Sequence, residues 1–166
     1  MGMVWEPDRS ERTALGELLG RAKDHGSPDA TASLAAAFGA WVSSLDFDDD
    51  VVVTTVPASR ARPNRLVGAL GVAAAAALGV PHERVVTRRG GPPVRDTPLA
   101  QRAAILRQAC FAVTADVADR HVVVVDDVVL SGSTLRHVGG LLHQVGASRV
   151  CYLVAARSRL NGELAK

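Results

Sequence analysis

The hydrophobic rhythm of this chain changes several times, and each change marks an element. The run Val122–Val125 is four valines and reads as a strand buried on both faces, the pattern of a parallel-sheet interior. Asp126 and Asp127 follow where that strand should run out, then Val128, Val129 and Leu130, then Ser131-Gly132-Ser133-Thr134. Leu135, Val138, Leu141, Leu142 and Val145 recur at the spacing of one apolar helix face, and Gly146 is a plausible stop. A second strand-like run, Val150–Ala155, completes a βαβ unit, whose crossover should be right-handed.

Upstream, Asp8 or Ser10 is positioned to cap a first helix with Leu15, Leu18, Leu19 and Ala22 on one face. Asp24–Pro28 breaks it. Pro28 and Asp29 open a second helix, with Leu34, Phe38, Trp41, Val42 and Leu45 as its buried stripe. At that spacing Trp41 reads as a core or interface residue rather than a base-stacking platform. Val51–Val56 is the first clear strand, and a helix from about Leu66 to Leu78 is closed by Gly79 and Pro81. Val85–Thr87 is a short strand. The glycines, prolines and charges of Arg88–Pro98 mark an exposed loop of the kind that serves as a lid or binding loop. A helical segment, Gln101–Ala109, precedes a short strand, Phe111–Val113, and Asp116–Arg120 turns back into the central strand near His121.

The order around the valines has a chemical meaning. A loop of Ser, Gly, Ser and Thr leading into a helix offers backbone N–H groups, hydroxyls and the positive end of the helix dipole, which together suit phosphate. Gly132 removes the Cβ that would hold a phosphate off the backbone. The two aspartates lie upstream at the carboxyl edge of the sheet, where open α/β folds bind ligands. There they can accept hydrogen bonds from sugar hydroxyls or hold a hydrated Mg²⁺. A phosphate pocket beside a diol pocket points to a ribose 5-phosphate. The competing reading is a strand end followed by a helix with Ser131 or Ser133 as its N-cap. It accounts for the serines and leaves two acids after four valines unexplained.

VVVVDDVVLSGST resembles the PRPP-binding motif of type I phosphoribosyltransferases. The resemblance implies that Asp126 and Asp127 hold the ribose and serve catalysis, and that Leu130, Ser131, Gly132, Ser133 and Thr134 wrap the 5-phosphate. It implies Mg²⁺ brought with PRPP, possible also on the two aspartates. In the same fold the loop after the first strand would face the phosphates. Ser59, Arg60 and Arg62 there, with Arg88, Arg89 and Arg95 of the longer loop, are candidates for the pyrophosphate, Arg60 with a catalytic part. Arginine suits phosphate oxygens through its bidentate fork. A solvated basic loop is the plain alternative.

The stretch VPASRARPNRLVGALGVAAAAALGVP, then an arginine-rich loop, RDTP, Arg102 and ACFAV, is similar to the ComF-type branch of that family, over about Val51 to Arg157. ComF-like proteins are linked to competence for DNA uptake. They often begin with a cysteine-rich zinc module, whereas no cysteine precedes Cys110 here, and Leu106 and its neighbours stand where the family has polar residues. The expected fold class is α/β: a type I phosphoribosyltransferase-like fold, its central, mostly parallel sheet flanked by helices, with a small helical N-terminal hood or extension. Residues 1–50 would form that extension, 51–157 the core and 158–166 a tail of one compact domain. The expected function is transfer of the 5-phosphoribosyl group of PRPP to an unidentified nitrogenous acceptor with release of pyrophosphate, within nucleotide metabolism. The alternative is a non-catalytic PRPP-binding regulator or a ComF-type competence accessory protein.

Composition narrows this further. A chain of 166 residues gives one domain with a real core, and 48% hydrophobic residues exclude disorder. A net charge of +2 is too mild to argue for nucleic acid. Cys110 and Cys151, in apolar settings without CxxC spacing, read as buried free thiols. The N-terminus lacks the apolar stretch of a signal peptide, and no apolar run reaches membrane-spanning length, so a soluble cytoplasmic protein is expected, with no membrane partner. Asp46, Asp48, Asp49 and Asp50 read as a solvated acidic turn, since the glycine and glutamate of a calcium loop are missing. No GK[ST] or GxGxxG is present, which removes the P-loop and dinucleotide readings. His25, His82, His121, His137 and His143 show no metal-ligand spacing and read as surface residues. No base-reading pattern stands out in the N-terminal helices or in Arg157-Ser158-Arg159, and Trp5 and Phe38 are the candidate stacking rings. A homodimer, through the apolar N-terminal helices, is expected by analogy with the family.

Overall fold

The computed structural model describes residues 13–47, 50–58, 65–88, 101 and 111–158. Their elements, in chain order, are α1 (Ala14–Lys23), α2 (Pro28–Val42), β1 (Val51–Thr55), α3 (Arg65–Leu78), β2 (Val86–Arg88), β3 (Phe111–Val113), β4 (His121–Val129), α4 (Ser133–Gln144) and β5 (Arg149–Arg157). Strands β1, β4 and β5 form a parallel sheet with β4 in the middle. Beside β1 the chain at Pro81–Glu83 adds a short parallel pairing, with Val53 N–H donating to the Pro81 carbonyl at 3.0 Å and Glu83 N–H to that of Val53 at 2.9 Å. Strands β2 and β3 pair antiparallel, Val86 opposite Val113 and Arg88 opposite Phe111. The long loop therefore joins two strands of an antiparallel ribbon.

Alternation along the strands divides the core in two. Val51, Val53, Val123, Val125, Leu153 and Ala155 face one way, onto α1, α2 and α3. Val52, Val122 and Val124 face the other way, onto Leu135, Val138 and Leu142 of α4 and the valines of β2 and its approach. Val122 to Val125 are all fully buried, so the four-valine run is a doubly covered central strand. Each such side chain contributes about 1.5–3 kcal/mol relative to exposure.

The N-terminal helices belong to the same core. Leu19 and Ala22 of α1 and Ala30, Leu34, Phe38 and Val42 of α2 are buried with Leu66, Leu70 and Ala74 of α3. Gly39 of α2 lets its helix lie against the backbone of Ala73, which an added Cβ would meet at 3.4 Å. The Trp41 and Phe38 rings sit 5.5 Å apart, with Trp41 half-buried at the margin of this cluster. The first helix is capped by Thr13, whose Oγ1 accepts from Gly16 N–H at 3.3 Å. The cap expected at Asp8 or Ser10 falls instead at Thr13, two residues before Leu15 at the head of the apolar stripe.

Two further expectations are corrected. The central strand does not end at the acids. It continues to Val129 because β5 runs alongside to Arg157, pairing Asp126 with Val154 and Val128 with Ala156. His121 is not a surface residue. It lies buried at the start of β4, its Nε2 3.1 Å from Cys151 Sγ and its ring 5.6 Å from that of Phe47. Strands on both sides of β4 enclose it. Cys151 is a free thiol, half-buried rather than buried.

Candidate functional site

The phosphate-loop candidates and the two acids come together at the carboxyl end of β4. Because that strand continues through them, Asp126 and Asp127 project to opposite faces of the sheet. Asp127 shares the face of Val123 and Val125 and is buried, with 4% of its surface exposed. Its Oδ1 accepts from Val128 N–H at 2.7 Å, and its Oδ2 lies 2.6 Å from Nζ of Lys23. Asp126 shares the other face and is partly exposed, and its Oδ1 accepts from Asp127 N–H at 2.9 Å. Burial and then the neighbouring Asp127 push the Asp126 carboxyl up to about 7, against opposing effects of the Asp127 N–H and of Lys23.

The turn after the strand has the form a phosphate site requires. Gly132 stands at the N-cap of α4 with φ +69°, and no side chain caps this helix. Neither Ser131 nor Ser133 is the N-cap residue, but Ser131 Oγ accepts from the first helical amide, Ser133 N–H, at 3.4 Å, and the two serine hydroxyls bond each other, Oγ to Oγ at 2.9 Å. Leu130 to Thr134 are all half-buried. The opening amides of a twelve-residue helix, two hydroxyls and the dipole thus gather in one turn. Arg136, one turn into the helix, is exposed, and its Nη1 lies 3.3 Å from where a Cβ on Gly132 would stand.

Gly132→Val should therefore act on both fold and site. A β-branched residue in the left-handed region costs about 1–2 kcal/mol or more, and its side chain would fill the turn beside Arg136. The expected outcome is a lower Tm together with at least a tenfold loss of phosphate-ester affinity by calorimetry. A variant that binds as well as the wild type would separate this turn from the ligand.

Of the cationic candidates, Arg88 is described. It ends β2, its guanidinium 5.5 Å above the Phe111 ring, and that ring stands 5.7 Å from His137 of α4. This stack ties the base of the long loop to the first half of α4, on the side of the Gly132 turn. Ser59, Arg60, Arg62, Arg89 and Arg95 lie outside the described residues. Lys23 and Arg136 were missed from the sequence. Arg136 carried a legible signal, a cation one turn after the Ser-Gly-Ser-Thr loop. Lys23 carried none, because only tertiary packing brings the end of α1 to the end of β4.

Among the described residues no cluster of three or more His, Cys, Asp or Glu is placed to hold a metal ion. No helix among them is long and apolar enough to cross a membrane.

A parallel α/β sheet with two adjacent carboxylates and a glycine-opened helix at its carboxyl edge has the arrangement in which open-sheet folds bind ligands. The family model described as "Phosphoribosyl transferase domain" matches residues 43–164. The chain belongs to that family, and its core has the type I phosphoribosyltransferase fold.

Solved structures agree on the fold. Glutamine PRPP amidotransferase from B. subtilis superposes with a TM-score of 0.57 at 18% identity, over 82% of this chain and 30% of that one. Adenine phosphoribosyltransferase from Saccharomyces cerevisiae gives 0.52 at 20% identity, over 81% and 73% of the two chains. The chain thus spans about a third of the amidotransferase and about three quarters of the adenine enzyme. No curated protein matches the chain in sequence.

Proposed function

We propose that this protein binds PRPP and transfers its 5-phosphoribosyl group to a nitrogenous acceptor, releasing pyrophosphate. The observation that carries this is the Gly132 turn, open at the start of α4 and set directly beyond Asp126 and Asp127. The turn would take the 5-phosphate through Ser131, Ser133, Thr134 and the helix amides. The acids would take the ribose hydroxyls. In the reaction the C1–oxygen bond to pyrophosphate breaks as a C1–nitrogen bond to the acceptor forms. Positive charge grows on the ring and negative charge on the leaving group, and fixed charges of opposite sign stabilise each. The arginines of the loops after β1 and β2, Arg60, Arg62, Arg88, Arg89 and Arg95, would meet the pyrophosphate.

Among the described residues no third acidic or imidazole group joins the two carboxylates, which suits a Mg²⁺ that keeps its waters and takes most of its ligands from substrate phosphates. Bound there, Mg²⁺ would neutralise charge on the departing pyrophosphate. Placement in the ComF-type branch rests on the likeness over residues 51–157 and belongs to the same reading. The free thiol of Cys151 suits a reducing compartment such as the cytoplasm.

Titration calorimetry with PRPP and Mg²⁺ tests the reading. Wild type should bind, and Asp127→Asn should bind about ten- to a hundredfold more weakly, since a hydrogen bond to a charged group contributes about 1.5–3 kcal/mol. Pyrophosphate release should then appear with one member of a panel of purines, pyrimidines and amines. Binding with no release across the panel would identify a PRPP-binding regulator instead. Absence of binding by folded protein would remove the ribose-phosphate reading.

A further inference from the structure

The Lys23–Asp127 pair joins the last turn of the N-terminal helix to an acid of the proposed ribose site. Lys23 cannot be there by chance of a flexible chain end. Its neighbours Leu19 and Ala22 are buried in the core that also holds Val123 and Val125, on the same face of β4 as Asp127. The backbone of α1 is thereby fixed against α2 and α3, and the lysine stem spans the remaining distance to the end of β4. The C-terminal turn of a helix is also where a cation is favoured by the dipole.

Stability alone gives a poor reason for such a pair. Removing two charges from water offsets most of their attraction, and well-packed apolar residues at such positions are commonly as stable or more so. A buried carboxylate held at a ligand-binding edge has a functional explanation instead. Asp127 is gripped on both oxygens, by Val128 N–H on Oδ1 and Lys23 Nζ on Oδ2. That grip fixes its rotamer. The ammonium has three donors and keeps 28% of its side chain exposed, so it has donors to spare beyond Asp127. It offsets, in addition, the charge of Asp127 that an incoming phosphate ester would meet.

We propose that Lys23 is a positioning residue of the ribose-phosphate site: it orients Asp127 toward the sugar hydroxyls and balances its charge against an anionic ligand. The inference rests on the PRPP reading above. It makes α1 part of the binding machinery, with an element outside the family-matched segment completing the site.

The test is a double-mutant cycle read by calorimetry with PRPP and Mg²⁺, on wild type, Lys23→Met, Lys23→Arg, Asp127→Asn and the double variant Lys23→Met/Asp127→Asn. Lys23→Met should raise Kd at least tenfold, and Lys23→Arg should recover most of the affinity. Because Lys23 acts through Asp127, the double variant should bind about as well as Asp127→Asn alone, a non-additivity expected of groups in contact. Thermal unfolding of each variant checks that it is folded, and a purely structural lysine would lower Tm while leaving the affinity of folded protein unchanged. That result, fully additive losses, or tighter binding by Lys23→Met as for a self-blocking latch, would overturn the proposal with the PRPP reading intact. If the wild type itself takes up no PRPP, the reading of the site falls first.

Discussion

Ligand-free protein, without added divalent cation, should lose thermal stability as the pH is raised from about 5 to about 8, and Asp126→Asn should remove most of that loss. In the folded protein the Asp126 carboxyl titrates near about 7, raised first by burial and then by Asp127. In the unfolded chain it titrates near the ordinary aspartate value of about 3.9. Between those values the folded protein keeps a proton that the unfolded chain has released. The stabilisation is therefore complete below about pH 4, falls as pH rises toward 7, and is gone above it. About three pH units at about 1.4 kcal/mol each bound the effect at about 4 kcal/mol. Water reaching the partly exposed side of Asp126 reduces it to a few kcal/mol at most. Asparagine keeps the acceptor for Asp127 N–H and never ionises, so its Tm should be nearly flat over the same range. A wild-type Tm that is flat or rises would show Asp126 to be ionised in the fold at every pH tested.

Phe38→Ala should cost about 3–5 kcal/mol, the usual range for deleting a buried aromatic ring. Phe38 is 2% exposed, in contact with Trp41 and sealed between α2, α3 and the sheet. Against a total stability of about 5–15 kcal/mol, this loss should appear as one cooperative transition moved down by many degrees. The reason is architectural. Helices α1 and α2 share a core with β1, β4 and β5, so nothing separates an N-terminal unit from the rest. A biphasic melt, with the sheet and its ligand site surviving loss of the N-terminal helices, would show that they form a detachable extension.

Much of the scaffold was legible in the sequence. Helix α2 begins at the expected Pro28, and α4 carries the expected stripe of Leu135, Val138 and Leu142. Strand β3 has the expected limits Phe111–Val113, and Gly146 ends α4's turn at φ +93°. These features depend on local rules of periodicity, proline at a helix start and positive φ, all of which act within a few residues. The form of the turn was legible for the same reason, since Ser131-Gly132-Ser133 leading into a helix is a local arrangement.

What the chain could not disclose by itself lies where distant segments meet. Continuation of β4 through two acids depends on hydrogen bonds from β5. That continuation, not the local sequence, sends Asp126 and Asp127 to opposite faces. The burial of His121 follows from strands on either side of it. The antiparallel partnership of β2 and β3 follows from a register over more than twenty intervening residues. The sequence alone determined a valine strand, a Ser-Gly-Ser turn leading into a helix and two adjacent carboxylates, because each is written in contiguous residues. Only the tertiary structure decided that one carboxylate is gripped by Lys23 while burial raises the other, because burial and charge partners are properties of packed segments rather than of the order of residues.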